Sequence, residues 1–185
     1  KYEYCDLLIA GSGPSGLASA YAAAQNGAKV ILAEDKSRFG GSLLTSEVTI
    51  GNQSGQEWSE KIISELKSMS NVIVKNRSQV FGYYDHNMLV MSERISDHLP
   101  ETKKYSPKQR LWYIRAKEVI ISSGSIERPL VFGNNDRPGV MLASAAKEYM
   151  KVYGVLVGKK PVIFTNNDSG YDTAIEFKRN GINPI

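Results

Sequence analysis

The sequence predicts an α/β chain: a parallel sheet wound with helices, an inserted antiparallel hairpin region, and the opening of a second, similar unit. Three observations predict it. Strand-like apolar runs alternate with stretches of helical periodicity. The run Leu7-Leu8-Ile9-Ala10 is apolar without interruption, as in a strand buried on both faces. A glycine-rich turn follows it at once and opens an alanine-rich stretch.

The first strand is expected over Glu3–Ala10 and the first helix over about Ser15–Asn26, with Gly27 as its C-terminal stop. "KVILAED" (Lys29–Asp35) then reads as a second buried strand with an acidic end, which completes a βαβ unit. A second helix is expected over about Gln56–Met69, because Trp58, Ile62, Ile63, Leu66 and Met69 fall on one stripe. The strand Asn71–Asn76 follows. Residues Gln79–Ile95 read as a hairpin turning at Asp85-His86-Asn87. Ser96–Arg110 is polar, holds two prolines and is expected to be a loop. "LWYIRAKEVIISSG" returns as one or two strands, and Glu127–Pro138 is irregular. A helix over about Leu142–Tyr153, a strand "KPVIF" and a helix over about Ser169–Arg179 close the chain. The expected domains are 1–135, with the β insertion at about 75–115, and 136–185, an incomplete second unit.

Composition bounds the function. The chain has 185 residues, 42% hydrophobic and 23% charged, an ordinary globular balance. Its net charge of +4 comes from scattered pairs such as Lys103-Lys104 rather than a patch, so no nucleic-acid partner is expected. No apolar run reaches the ~20 residues of a membrane span. The single cysteine, Cys5, permits no intrachain disulfide or CxxC pair, reads as a small core residue, and suits a reducing, cytoplasmic compartment. Disulfide-reducing flavoenzymes carry a redox cysteine pair just after this region; "GGSLLTSEV" has none, so that activity is not expected in this piece. A start at Lys1 and a stop at "GINPI" make the chain read as a piece of a longer protein.

Gly11-Ser12-Gly13-Pro14-Ser15-Gly16 fits G-x-G-x-x-G between a strand and a helix. Gly11 allows the tight turn, Gly13 admits a diphosphate to the backbone, and Gly16 lets helix and sheet approach. The phosphates then meet free N–H groups at the positive end of the helix. Glu34 closes the second strand about 20 residues on, where a carboxylate accepts both ribose hydroxyls and repels a 2′-phosphate. This Rossmann-like arrangement predicts NAD or FAD rather than NADP. The pair Gly40-Gly41 with Ser42 and the later Gly124 are further places where backbone could lie along a cofactor, or simply bends. His86 and His98 lack clustered carboxylates, so no metal site is expected. Asp136 and Arg137 sit in a turn sequence, and no catalytic arrangement of side chains can be argued. The second opening, "VIFTNNDSG", has one glycine and is expected to hold no dinucleotide.

"VFGYYDHN", "QRLWYIRAKEVIISSGSIERPLVFGNNDRPGVM" and "TNNDSGYD" together make the chain resemble the alpha subunits of heterotetrameric sarcosine oxidases over nearly its whole length. Alpha subunits of opine oxidases and other bacterial amine dehydrogenases share parts of these motifs. The resemblance implies a glutathione-reductase-type domain holding NAD at the fingerprint, with FAD as the alternative. It also implies beta, gamma and delta subunits, with FAD and FMN chemistry elsewhere in the complex. Sarcosine is there demethylated with O2 to glycine and H2O2, and the one-carbon unit passes to tetrahydrofolate. Carried over by position, the cofactor residues are Gly11, Gly13, Pro14, Ser15 and Gly16, then Glu34, Asp35 and Lys36 at the ribose. Gly41 and Ser42 follow in a Gly-Gly-small-Leu-Leu loop, with the backbone near Val80 at the adenine. Ser15 stands where alanine is usual, and Ser123 where the strand commonly ends in Thr-Gly.

Overall fold

The computed structural model describes residues 1–100 and 105–185. Its described residues form two compact units, Lys1–Gly124 and Ser125–Ile185, and the sequence-based boundary at 135/136 lies inside the second.

In the first unit the elements run β1 (Tyr2–Ala10), α1 (Pro14–Gln25), β2 (Val30–Ala33), a 3-10 turn (Gly41–Leu44), β3 (Thr49–Ile50), β4 (Gln53–Ser54), α2 (Gly55–Ser68), β5 (Val72–Lys75), β6 (Ser78–Tyr84), β7 (Met88–Arg94) and β8 (Gln109–Ile121). Six strands make one mixed sheet in the order β5-β2-β1-β8-β7-β6, and β3-β4 make a small antiparallel pair. β1 is parallel to both β2 and β8, and β2 to β5. The Rossmann-like α/β fold expected from the sequence is therefore present.

Two apolar clusters sandwich the parallel strands. Ile9, Val30 and Leu32 pack against Leu17, Ala20 and Ala24 of α1 and Ile62, Ile63 and Leu66 of α2. The predicted stripe of α2 thus faces the sheet, and the helix starts on a reciprocal cap between Ser54 and Glu57. The opposite face contributes Leu8, Ile31 and Ala33, which pack with Leu89, Met91, Trp112 and Ile114 of the antiparallel strands. The expected hairpin region is thus continuous with the sheet. The "one or two strands" after it are one strand, β8, whose first half pairs antiparallel with β7 and whose second half pairs parallel with β1. β8 begins at Gln109, so the expected loop is shorter at its C-terminal end because Gln109 and Arg110 already pair with Arg94 and Glu93; residues 101–104 of that loop lie outside the described residues.

In the second unit, α3 (Ala143–Tyr153) and α4 (Ser169–Arg179) pack through Ala146, Met150 and Phe177. The expected strand "KPVIF" is not a regular strand. Ile163 N–H donates to Ile185 and Ile185 N–H to Pro161, both at 3.0 Å, but this contact is too short to make a ladder. Among the described residues no helix is long and apolar enough to cross a membrane.

Candidate dinucleotide site

The fingerprint glycines divide by physical role. Gly11 has φ +106°, and a Cβ there would lie 2.3 Å from the Ser122 carbonyl oxygen. A Cβ on Gly16 would lie 2.0 Å from the Gly11 carbonyl oxygen. Both positions require glycine for the protein's own packing. Gly13 differs: its φ is −66°, and a Cβ there would meet nothing within 4 Å. Glycine at Gly13 is not needed by the fold, which fits a position kept bare for a ligand.

Gly13 is the N-cap of α1, with Pro14 at the first helical position and no acidic residue in the first turn. Leu17 N–H is the first to enter the helix, donating to Gly13 at 2.9 Å. The N–H groups of Ser15 and Gly16 belong to the unsatisfied first turn, and Pro14 has none. No side chain caps them. Ser15 is exposed, while Gly16 is buried. These donors and the helix's positive end suit a diphosphate.

Glu34 follows β2 and is buried. One oxygen, Oε2, accepts from Ser12 N–H at 2.9 Å and from the Ser12 hydroxyl; Oε1 accepts from Lys36 N–H at 3.0 Å. Burial pushes the Glu34 carboxyl above its usual range, helped by a hydrogen bond with the Asp35 carboxyl, while the Ser12 and Lys36 donors oppose the rise. Oε2 is thus taken by the two Ser12 donors, whereas Oε1 has a second lone pair beyond the Lys36 bond that can accept a ribose hydroxyl. Asp35 and Lys36 are exposed beside it.

The loop after β2 returns to the fingerprint. Gly40, with φ +120°, donates to the Ser12 carbonyl at 3.0 Å. Gly41 presses against Gly13, so that a Cβ on Gly41 would lie 2.9 Å from Gly13 Cα. Gly41 and Ser42 are exposed. Ser78 N–H donates to the Glu34 carbonyl at 2.7 Å, so β6 starts beside Glu34, with Val80 two residues along it. The Val80 side chain packs into the core below the sheet. Gly124 (φ +72°) is exposed just past β8, and Ser122 N–H extends that strand's pairing to Ala10 at 2.7 Å.

The structure thus brings together Gly11, Gly13, Pro14, Ser15, Gly16, Glu34, Gly41 and the start of β6. Sequence reasoning named Gly40 only as half of a glycine pair and Ser12 only as a fingerprint position, and missed the bonds that tie both to this corner. Nothing in the local pattern marks those bonds, because they join segments distant along the chain. A separate cavity of about 280 Å³ lies behind the loop, lined by Arg38, Phe39, Gln56 and Lys67 among others, and contains none of the fingerprint residues. The fingerprint corner is the candidate cofactor site, because its backbone donors and open Gly13 suit a diphosphate.

The second opening is built differently. At the start of α4, Asn167 N–H donates to Thr165 Oγ1 at 3.2 Å and Ser169 N–H to Asn167 Oδ1 at 3.0 Å. A Cβ on Gly170 would lie 2.7 Å from Thr165 Cβ. Side chains of the turn itself thus take the Asn167 and Ser169 N–H groups.

Of the other candidates, Cys5 is fully buried in the core, and burial pushes its thiol up to about 12. His86 lies in the β6–β7 turn with φ +58°, and His98 Nδ1 is 3.6 Å from Asp97. Arg137 N–H closes a turn onto Asn134 at 3.2 Å. Among the described residues no three His, Cys, Asp or Glu side chains gather as a metal site.

The FAD dependent oxidoreductase family matches residues 6–104. Over all 185 residues the chain is 44% identical to the sarcosine oxidase alpha subunit of Rhizobium meliloti, and over 183 residues 38% identical to that of Corynebacterium sp. strain P-1. It spans 19% of either relative's length. An opine oxidase subunit from Agrobacterium tumefaciens is 25% identical over 88% of the chain, which spans 33% of that relative. Among solved structures, L-proline dehydrogenase from P. horikoshii superposes with TM-score 0.80 at 24% identity, over 100% of this chain and 36% of that one. Thioredoxin reductase from Lactococcus lactis superposes with TM-score 0.63 at 19% identity, over 95% and 53%. Both structures share the fold. With more than half of its length matched by the family, the chain belongs to the FAD dependent oxidoreductase family.

Proposed function

We propose that residues 1–124 hold the adenosine diphosphate half of a dinucleotide, in an oxidoreductase subunit that works as the sarcosine oxidase alpha subunits do. One observation carries this: Gly13 is bare where the fold does not require it, beside the uncapped amides of α1. Gly13, Ser15 and Gly16 bind the diphosphate through N–H groups. Glu34, with Asp35 and Lys36 beside it, accepts the ribose hydroxyls. Gly41 and Ser42 lie along the phosphates, the Val80 backbone borders the adenine, and Gly124 approaches from the end of β8.

The dinucleotide in this proposal is NAD, following the resemblance to sarcosine oxidase alpha subunits. When bound, it supplies a nicotinamide that carries hydride. A second reading, FAD at the same corner, is favoured by the name of the matched family. Either molecule presents the same adenosine diphosphate to these residues. In the proposal, oxidation of sarcosine by O2 to glycine and H2O2, with one-carbon transfer to tetrahydrofolate, takes place elsewhere in the assembly. That assembly is a cytoplasmic heterotetramer with beta, gamma and delta subunits, carrying FAD and FMN outside this site. Residues 1–185 contribute binding rather than an acid, base or nucleophile.

The test is to purify the full-length protein, record absorbance near 450 nm, then release and identify the nucleotide. Colourless NAD supports the first reading and flavin lost on Gly13→Val the second. A preparation holding neither removes both.

A further inference from the structure

We propose that Ser12 is a positioning residue for the nucleotide: its buried hydroxyl joins the Glu34 carboxylate to Gly40, so that the ribose acceptor and the phosphate loop are set as one unit. The inference rests on the dinucleotide reading above and extends it to a residue that the fingerprint pattern leaves free.

Ser12 has no exposed surface. Its N–H and its hydroxyl both donate to Glu34 Oε2. A serine hydroxyl has one proton and two lone pairs. With its proton committed to Glu34, a lone pair is left for Gly40 N–H, 3.3 Å away, which also donates to the Ser12 carbonyl at 3.0 Å. Gly40 is itself buried, and a Cβ there would lie 3.0 Å from Ser59 Oγ of α2. The next residue, Gly41, rests on Gly13. Three segments separate in sequence, at 12, 34 and 40, therefore meet through one side chain. Alanine or glycine at position 12 keeps the backbone bonds but supplies neither the hydroxyl donor nor its lone pair.

The Ser12 hydroxyl also acts on the charge of Glu34. The groups facing this carboxyl are the Asp35 carboxyl, which shares a hydrogen bond with it, and the Lys36 N–H. From the neighbouring strands, the Lys75 carbonyl takes the Glu34 N–H at 2.8 Å while its ammonium is held by Glu93, also at 2.8 Å. Arg77 reaches this corner through its N–H, which donates to Lys36 at 2.9 Å. The Ser12 hydroxyl is the one side-chain donor to Glu34 among these described contacts, and it favours the ionised form that accepts ribose hydroxyls. Without it, Glu34 takes up its proton at a higher pH.

The experiment uses the full-length protein stripped of nucleotide and titrated with ADP-ribose, which carries the adenosine and diphosphate common to NAD and FAD. Ser12→Ala is expected to weaken binding about tenfold at neutral pH, the scale of one hydrogen bond to a charged group. It is also expected to move the acid limb of the affinity–pH profile upward. On a Glu34→Gln background the same substitution should cost much less, because the charge through which Ser12 acts is gone. Unchanged affinity with an unmoved profile overturns the proposal. So does an equal loss on both backgrounds, which marks Ser12 as packing alone. Gly13→Val separates the two levels. If that variant also binds as the wild type does, the nucleotide site lies elsewhere and the role of Ser12 goes with it.

Discussion

Replacing Gly13 by valine and Gly16 by alanine should give opposite phenotypes, although both lie in one fingerprint. At Gly13 the backbone already has a φ open to any residue, and a Cβ there meets no protein atom within 4 Å. The folding cost is confined to a poorer N-cap, at most about 1 kcal/mol. The side chain would stand where the diphosphate approaches. If two charge-assisted N–H bonds of about 1.5–3 kcal/mol each are lost, affinity falls by about 3–6 kcal/mol. At 1.4 kcal/mol per tenfold, that is a hundredfold or more. At Gly16 the new methyl would sit 2.0 Å from a backbone oxygen, so helix and turn must move apart. Such overpacking costs about 1–3 kcal/mol of stability. Denaturant unfolding of each full-length variant, with quantification of released nucleotide, separates the effects. A Gly13→Val protein that retains its nucleotide at full occupancy refutes the reasoning, as does a Gly16→Ala protein with unchanged stability.

Three other outcomes follow from the same structure. Ser54→Ala removes the hydroxyl that caps α2 and should cost about 1 kcal/mol, read as a lower unfolding midpoint with unchanged m-value. Burial alone would raise the Glu93 carboxyl, but the hydrogen bonds from Lys75 and Trp112 and the nearby Arg110 overcome it and hold it below the usual range. Its stabilisation is therefore complete above the unfolded value and lost as pH falls through the lowered folded one. Glu93→Gln should lose about 1–2 kcal/mol at pH 7, with solvent screening the Arg110 share, and the deficit should vanish in acid unfolding curves below that folded value. Cys5, with its thiol pushed up to about 12, should resist a thiol reagent at pH 8 until the protein unfolds; prompt labelling of folded protein would contradict its place in the core.

Much of the first unit was legible because its determinants are local. The continuous apolar run of β1, the stripe on α2 and the Ser54–Glu57 cap follow from periodicity and near neighbours. The segment "KPVIF" is not a regular strand among the described residues, because strand propensity becomes a ladder only where a pairing partner lies alongside. The course of β8, antiparallel to β7 and then parallel to β1, is invisible in its own residues because both partners lie far away in sequence.

By itself the sequence determined where a glycine-rich turn meets a helix and which carboxylate ends the next strand. Backbone freedom at glycine and side-chain periodicity act over a few residues, so order along the chain records them. Only the tertiary structure decided that Gly11 and Gly16 serve packing while Gly13 stands open, and that Ser12 holds Glu34 and Gly40. Those distinctions depend on which atoms come within about 4 Å once Ser122, Glu34 and Gly40 have folded back on the turn.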